Sequence, residues 1–364
     1  MSISYPPPLP SNPSRPENVG AFLRSPSGKC RESNIELLRI IAMSMILIGH
    51  FMLHGIGESA ISREIYVLFT TYCVCGVNLF FLISGYFRIK ASVRNVSKLI
   101  FTLFFWGCVN LLLLYSVGEY VSVSDWLSLI FFPISHSRYW FIQVYLFLMI
   151  CSPLINAGID GMSLKQLRLF ILIFSLFTIY SCGIGHNLSN SNGFTFLQGV
   201  YMYCLAAYIR RDYSIIQQLN GIKCLIFAVS LLTIGAAALF LTDILSCTSY
   251  NSFINILSSA LILLGFLKFN FRCRFINILA SAALGCYLLQ DGMFGVKYLY
   301  GHIHQLYIHE SHLYAIGYLV ALFVLYWFCS LVITKLISAS FKFVERHLIL
   351  PLSERLIRRF NLRN

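Results

Sequence analysis

The sequence predicts an all-α, polytopic integral membrane protein with about ten transmembrane helices and both termini in the cytoplasm. Three observations carry that prediction. Of the 364 residues, 58% are hydrophobic and only 11% charged, with a mean hydropathy of +0.74, where an ordinary soluble domain is about 25% charged. Apolar runs long enough to cross a hydrocarbon core of about 30 Å recur along nearly the whole chain. Lys and Arg collect in alternate connections between those runs, as cytoplasmic loops do.

Residues 1–33 carry PPPLP and NPSRP with no apolar periodicity, which predicts a disordered cytoplasmic tail. No signal-peptide pattern precedes the first run, so it is retained as a mature helix. In order, the expected spans are 35–54, 66–87, 99–117, 139–157, 169–185, 194–209, 224–245, 250–267, 275–298 and 313–338. The stretch 194–209 is short for a crossing. The stretch 275–298 is interrupted by Gln290, Asp291 and Lys297, so a broken or re-entrant helix is expected there, covered by protein or water. The connection 118–138 holds an apolar patch, Trp126 to Ile134, too short to cross, and is expected along the outer interface.

With the N-terminus inside, the inner loops hold Arg88, Lys90, Arg94 and Lys98, then Lys165, Arg168, Arg210, Arg211, Lys223, Lys268, Arg272 and Arg274. Outer connections receive Arg63, Arg138 and Lys297. Topology therefore accounts for most of the net charge of +13. No nucleic-acid partner is implied, because the bases spread over loops instead of one folded face; membrane lipids are the natural partners of these bases. Residues 340–364 alternate apolar and basic groups and read as a cytoplasmic amphipathic tail broken at Pro351, leaving 34–339 as the membrane domain.

The twelve cysteines lie mostly within apolar spans and read as small apolar residues. Neither CxxC nor Cys/His metal spacing occurs, so no metal is predicted. A Cys182–Cys247 disulfide remains open. His302, His304, His309 and His312 fall in the expected last outer loop, where exposed surface outweighs a metal site for want of carboxylate or Cys partners.

The chemistry concentrates in the first span, NIELLRIIAMSMILIGH, where Glu36, Arg39 and His50 lie among Leu, Ile and Met. A charge at membrane depth costs about 2.5–3.5 kcal/mol on insertion scales, so such residues usually face a cavity or a partner. At about 100° per residue, Arg39 and His50 are about 20° apart around the axis, and Glu36 is about 40° from His50. The rise separates Arg39 from His50 by about 16 Å. One polar stripe thus runs from the inner end of the helix into the membrane.

This stretch resembles the opening motif of the membrane acyltransferases of the third type, which include bacterial polysaccharide O-acetyltransferases. In them an acidic residue and an arginine precede a histidine separated from the arginine by ten residues. Three further segments agree in order: GVNLFFLISGYF (Gly76 to Phe87), RYWFIQVYLFLMICSPLIN (Arg138 to Asn156) and, less closely, ASAALGCYLLQDG (Ala280 to Gly292). In the last, Gln290 stands where many relatives have His; Gln290 and Asp291 form a polar pair in a broken late helix, where a role is expected that the resemblance does not supply. The resemblance covers residues 33 to about 346.

It implies an enzyme of the bacterial inner membrane that transfers an acyl group, most simply acetyl, from acyl-CoA (acetyl-CoA) to a hydroxyl of a cell-surface polysaccharide or its lipid-linked precursor. His50 is then the candidate base, because neutral imidazole accepts a proton well near pH 7; it is also a possible nucleophile. Arg39 offers a cationic fork to a CoA phosphate or to the thioester, and Glu36, three residues before it, holds the guanidinium. Glu36 and His50 are the catalytic candidates and Arg39 the donor-binding one. Acceptor-side candidates are Arg138, Trp140, Asn78 and Ser84.

Each has a plainer alternative. Glu36 and Arg39 form an interfacial ion pair, His50 packs as a core histidine, Asn78 and Ser84 glue helices together, and Trp140 belongs to the interfacial aromatic belt. His54 reads as an outer-interface residue. The rival function is a transporter or flippase for a lipid-linked saccharide using the same stripe, which predicts buried charges on several helices and broken segments paired between two halves; a further alternative is an assembly subunit of a polysaccharide export machine.

Overall fold

The computed structural model describes residues 32–57, 60–134, 139–183, 191–242 and 249–351. Among the described residues the chain is helical throughout, with no strand. In hydrocarbon every backbone N–H and C=O must be satisfied within the segment, and helices achieve this. Several helices begin at a hydroxyl side chain that accepts from an amide of the first turn: Ser62, Ser92, Thr195, Ser252 and Ser311. These caps satisfy donors that the helix itself leaves free.

The first helix, α1 (Ser33–His50), continues through a π-helical turn, Phe51–Gly57. There follow α2 (Arg63–Cys73), α3 (Cys75–Phe87), α4 (Val93–Ser116) and the short α5 (Val123–Phe131). Next come α6 (Trp140–Gly161), α7 (Leu164–Gly183), α8 (Phe196–Arg211), α9 (Tyr213–Gln218), α10 (Gly221–Thr242) and α11 (Phe253–Leu267). The chain ends with α12 (Arg274–Leu279), α13 (Ala283–Gln290), a π turn Gly295–Leu299 leading into α14 (Tyr300–His309), and α15 (His312–Val344) with a further π turn Glu345–Ile349.

Each of the ten expected spans falls on a helix. Among the described residues seven helices are long and apolar enough to cross a membrane, and the bent pair Arg274–Gln290 with Gly295–His309 makes an eighth. The other two segments are α8 and the apolar α11, only 16 and 15 residues long, which is about 24 Å of helix or less. The protein is a multi-pass, all-α membrane protein. The expected break within 275–298 is present, with a bend of 59°.

One expectation needs correction. Residues 299–312 were expected to be an outer loop, yet Tyr300–His309 is helical. Its Tyr, His and Gln residues depress the hydropathy, but Ile303 is buried and α14 packs along the π turn that ends α1. The last helix runs without a break from His312 through Ile349, which carries it into the expected basic amphipathic stretch. Residues 1–31, Arg138, Cys247 and 352–364 lie outside the described residues, and with them the tail readings and the disulfide.

α1, α3 and α8 form the centre, burying Leu38, Ala42 and Leu47 against Leu79, Leu82 and Tyr203. The outer helices α7, α10 and α15 instead expose Leu172, Ile226 and Leu325, as lipid-facing surfaces do. α5 starts at a capping box made by Ser122 and Asp125 and buries Leu129 against α4. At the end where α1 begins, basic side chains tie the loops together. Arg88 pairs with Asp160, Arg94 with Glu345, and Arg168 with Asp212 at 2.9 Å. Arg210 donates to the Tyr86 carbonyl at 2.7 Å.

Candidate active site

The polar stripe of α1 faces the interior. Arg39 Nη1 donates to Glu36 Oε1 at 2.7 Å, and Glu36 is buried. Arg39, Met43, Ile46 and His50, spaced four, three and four residues apart, line one wall of a cavity of about 250 Å³. Phe80, Ser84, Phe141 and Tyr145 are among the residues opposite. Ser84 donates to the Phe80 carbonyl at 2.8 Å, and the Tyr145 hydroxyl lies beside Ser84 and Arg39.

Two further cavities adjoin this one. Past Leu99, Tyr145 and Leu284 lies a cavity of about 300 Å³ bordered by Lys90, Lys98 and Asn95. In the other direction, past Val77, Trp140 and Tyr250, lies a larger one of about 780 Å³ that takes in His54, Asp291 and Tyr300. His50 lines both the central and the large cavity.

His50 has a carboxylate facing it. Its Nδ1 lies 3.8 Å from Asp291 Oδ1, longer than a hydrogen bond, and otherwise has no hydrogen-bond partner. The His54 ring, one turn further along, meets the His50 ring edge-on with centroids 5.1 Å apart, and Tyr300 lies 5.8 Å beyond His54. The Asp291 carboxylate is also within electrostatic reach of the hydroxyls of Tyr250, Tyr287 and Tyr300.

The break after Gln290 explains how a carboxylate arrives there. At Gly295 an added Cβ would lie 1.8 Å from the Gln290 carbonyl oxygen, and at Gly292 one would lie 2.2 Å from Asn110 Oδ1; both positions admit only glycine without movement. The backbone groups freed by the bend are satisfied by buried side chains. Asn110 of α4 donates to the Leu288 carbonyl at 3.1 Å and accepts from Phe294 N at 3.3 Å. Tyr139 donates to the same Leu288 carbonyl at 2.7 Å. Irregular backbone at membrane depth persists only when covered in this way.

The remaining sequence candidates divide. Trp140 lines both cavities and Ser84 lines the central one. Asn78 lines neither: it is fully buried and donates to the Tyr250 carbonyl at 2.8 Å, beside Gln198, which donates to the same oxygen at 3.0 Å. Its contact is with the turn that carries Tyr250, not with cavity space. Glu36 contacts Arg39 and is fourteen residues before His50, about 21 Å along the helix, beyond reach of the imidazole. Arg138 is outside the described residues. His54 borders the large cavity.

Gln290 is fully buried, borders none of the three cavities, and its amide makes no hydrogen bond. His302, His304, His309 and His312 border none of them either; His304 Nδ1 lies 2.6 Å from the Ile56 carbonyl oxygen. Among the described residues no group of three or more His, Cys, Asp or Glu is arranged to hold a metal ion.

Asp291, Tyr250 and Phe194 were given no site role by the sequence. For Asp291 a signal was present, a carboxylate within an apolar segment between closely spaced glycines. One bent pair is present among the described residues, where the transporter reading calls for broken segments matched between two halves.

A family model described as an acyltransferase domain matches residues 32–341. No curated protein and no solved structure matches the chain. The family match runs from the first turn of α1 into the last turns of α15 and encloses every residue that lines the three cavities, so the chain belongs to the acyltransferase domain family and is an acyltransferase.

Proposed function

We propose that the protein transfers an acyl group, most simply acetyl, from acyl-CoA to a hydroxyl of a cell-surface saccharide or its lipid-linked precursor, at the bacterial inner membrane with both termini cytoplasmic. The observation that carries this reading is the position of His50, which borders the central cavity beside Arg39 and the large cavity beside Asp291. A donor entering from the Lys90 and Lys98 side and an acceptor entering from the Tyr300 side would meet at one imidazole.

In this reading Lys90 and Lys98 meet the phosphates of the donor, and Arg39, steadied by Glu36, binds further along it. The narrow, largely apolar central cavity receives the thioester arm. His50 accepts the acceptor hydroxyl proton through Nε2 as the new C–O bond forms and the thioester C–S bond breaks. The departing thiolate takes that proton from the imidazolium. Asp291, facing Nδ1, favours the charged imidazolium, as a carboxylate does in a hydrolytic triad. Neutral at rest and cationic only during transfer, His50 gains most from Asp291 in the transition state.

The test is transfer of label. Purified protein in lipid, given radiolabelled acetyl-CoA and a saccharide acceptor, is expected to move the label onto the saccharide. Label retained on CoA while the saccharide itself crosses the bilayer would support the transporter reading instead.

A further inference from the structure

We infer that the large cavity beside His50 seats an uncharged sugar ring on an aromatic triangle of Trp140, Phe194 and Tyr250, and excludes sugars that carry a carboxylate. This rests on the acyl-transfer reading and adds the class of acceptor.

The three rings are in mutual contact, with centroids 4.8 Å apart for Trp140 and Phe194, 4.8 Å for Phe194 and Tyr250, and 5.6 Å for Trp140 and Tyr250. All three border the cavity. Aromatic faces are flat and apolar with a partial negative charge, which suits the C–H face of a pyranose. Two separate segments carry Phe194 and Tyr250, and the backbone locks them together: Tyr250 N donates to the Asn192 carbonyl at 3.2 Å. The paired bonds from Asn78 and Gln198 to the Tyr250 carbonyl hold that turn from the core side. Neither Asn78 nor Gln198 borders the cavity, so they are positioning residues.

The cavity also presents polar atoms suited to sugar hydroxyls. Thr70 Oγ1 and the Tyr300 hydroxyl are buried, border it, and have no hydrogen-bond partner. Asn192 and Ser249 border it as well. Its volume of about 780 Å³ falls within the range of about 300–1,000 Å³ common for small-molecule sites.

Charge then selects among sugars. Asp291 is the one carboxylate among the described residues that border this cavity, and no Lys or Arg is among them. A uronic acid would bring a second carboxylate beside Asp291, with no Lys or Arg among the described lining residues to pair it. A neutral ring meets no such repulsion, and its hydroxyls are suitable donors to Asp291.

The experiment uses the full chain in lipid with acetyl-CoA, following release of CoA thiol with methyl glucoside, with methyl glucuronide, and with no acceptor. The glucoside is expected to raise release, with kcat/KM at least about tenfold above that of the glucuronide. Phe194→Leu should raise the KM for the glucoside about tenfold, and Phe194→Tyr should restore it. Equal kcat/KM for the two glycosides, or an unchanged KM in Phe194→Leu, overturns the inference. So does failure of both glycosides to stimulate while acceptor-free release continues, which would leave acyl transfer standing. No CoA release under any condition removes the acyl-transfer reading along with the sugar seat.

Discussion

Asp291 Oδ1 lies 3.8 Å from His50 Nδ1, although one residue is near the start of the chain and the other sits in the break of a late helix. The bend between α13 and α14 exists to the degree that Gly292, Gly295, Asn110 and Tyr139 hold it. His50 on α1 and Asp291 in the break are thus brought together by the packing of α1 on α13 and of its π turn on α14.

Asp291→Asn keeps the size of the side chain and removes its charge. With the imidazolium no longer stabilised, kcat should fall about 10²- to 10⁴-fold, the range seen when a general base or its carboxylate partner is disabled. Steady-state kinetics with a saccharide acceptor check this. A variant with the parent kcat would separate Asp291 from the reaction.

Arg39→Ala should raise the KM for acyl-CoA about 10- to 100-fold, the equivalent of one lost charge-assisted hydrogen bond. Arg39→Lys keeps the charge but not the fork and should fall between the two. Glu36→Gln, which loosens the guanidinium without removing it, should have the smaller effect in the same direction. Donor affinity identical in all four proteins would contradict a donor-binding role.

Asn110→Leu leaves the Leu288 carbonyl with one donor instead of two and Phe294 N with none. A buried polar group left unmade costs about 1–3 kcal/mol, so thermal unfolding in detergent should shift downward. Because the bend carries Asp291, kcat should fall as well. Gly295→Ala, whose Cβ would collide with the Gln290 carbonyl, should lose activity more completely. Full stability and activity in Asn110→Leu would show that the break does not need this bond.

The ten helical segments were legible because hydropathy and charge alternation are local properties of a chain in a membrane. The inward stripe of Glu36, Arg39 and His50 was legible for the same reason, since periodicity along one helix fixes which residues share a face. What could not be read were pairings between distant segments. Asp291 stood out as a buried charge, but its partner lies on another helix. The sequence leaves Asn78 open between a substrate contact and a bond between helices, because its acceptor, the Tyr250 carbonyl, is 172 residues away. Residues 299–312 were read as a loop because polar side chains conceal a helix that is held by packing on the end of α1.

The most direct test of the central claim is the rate of label transfer from acetyl-CoA to saccharide by His50→Ala beside the parent protein, both in lipid and both shown to be folded by their thermal transitions. The meeting of two cavities at this imidazole predicts a loss of about 10²- to 10⁴-fold. Undiminished transfer by the alanine variant would contradict the account.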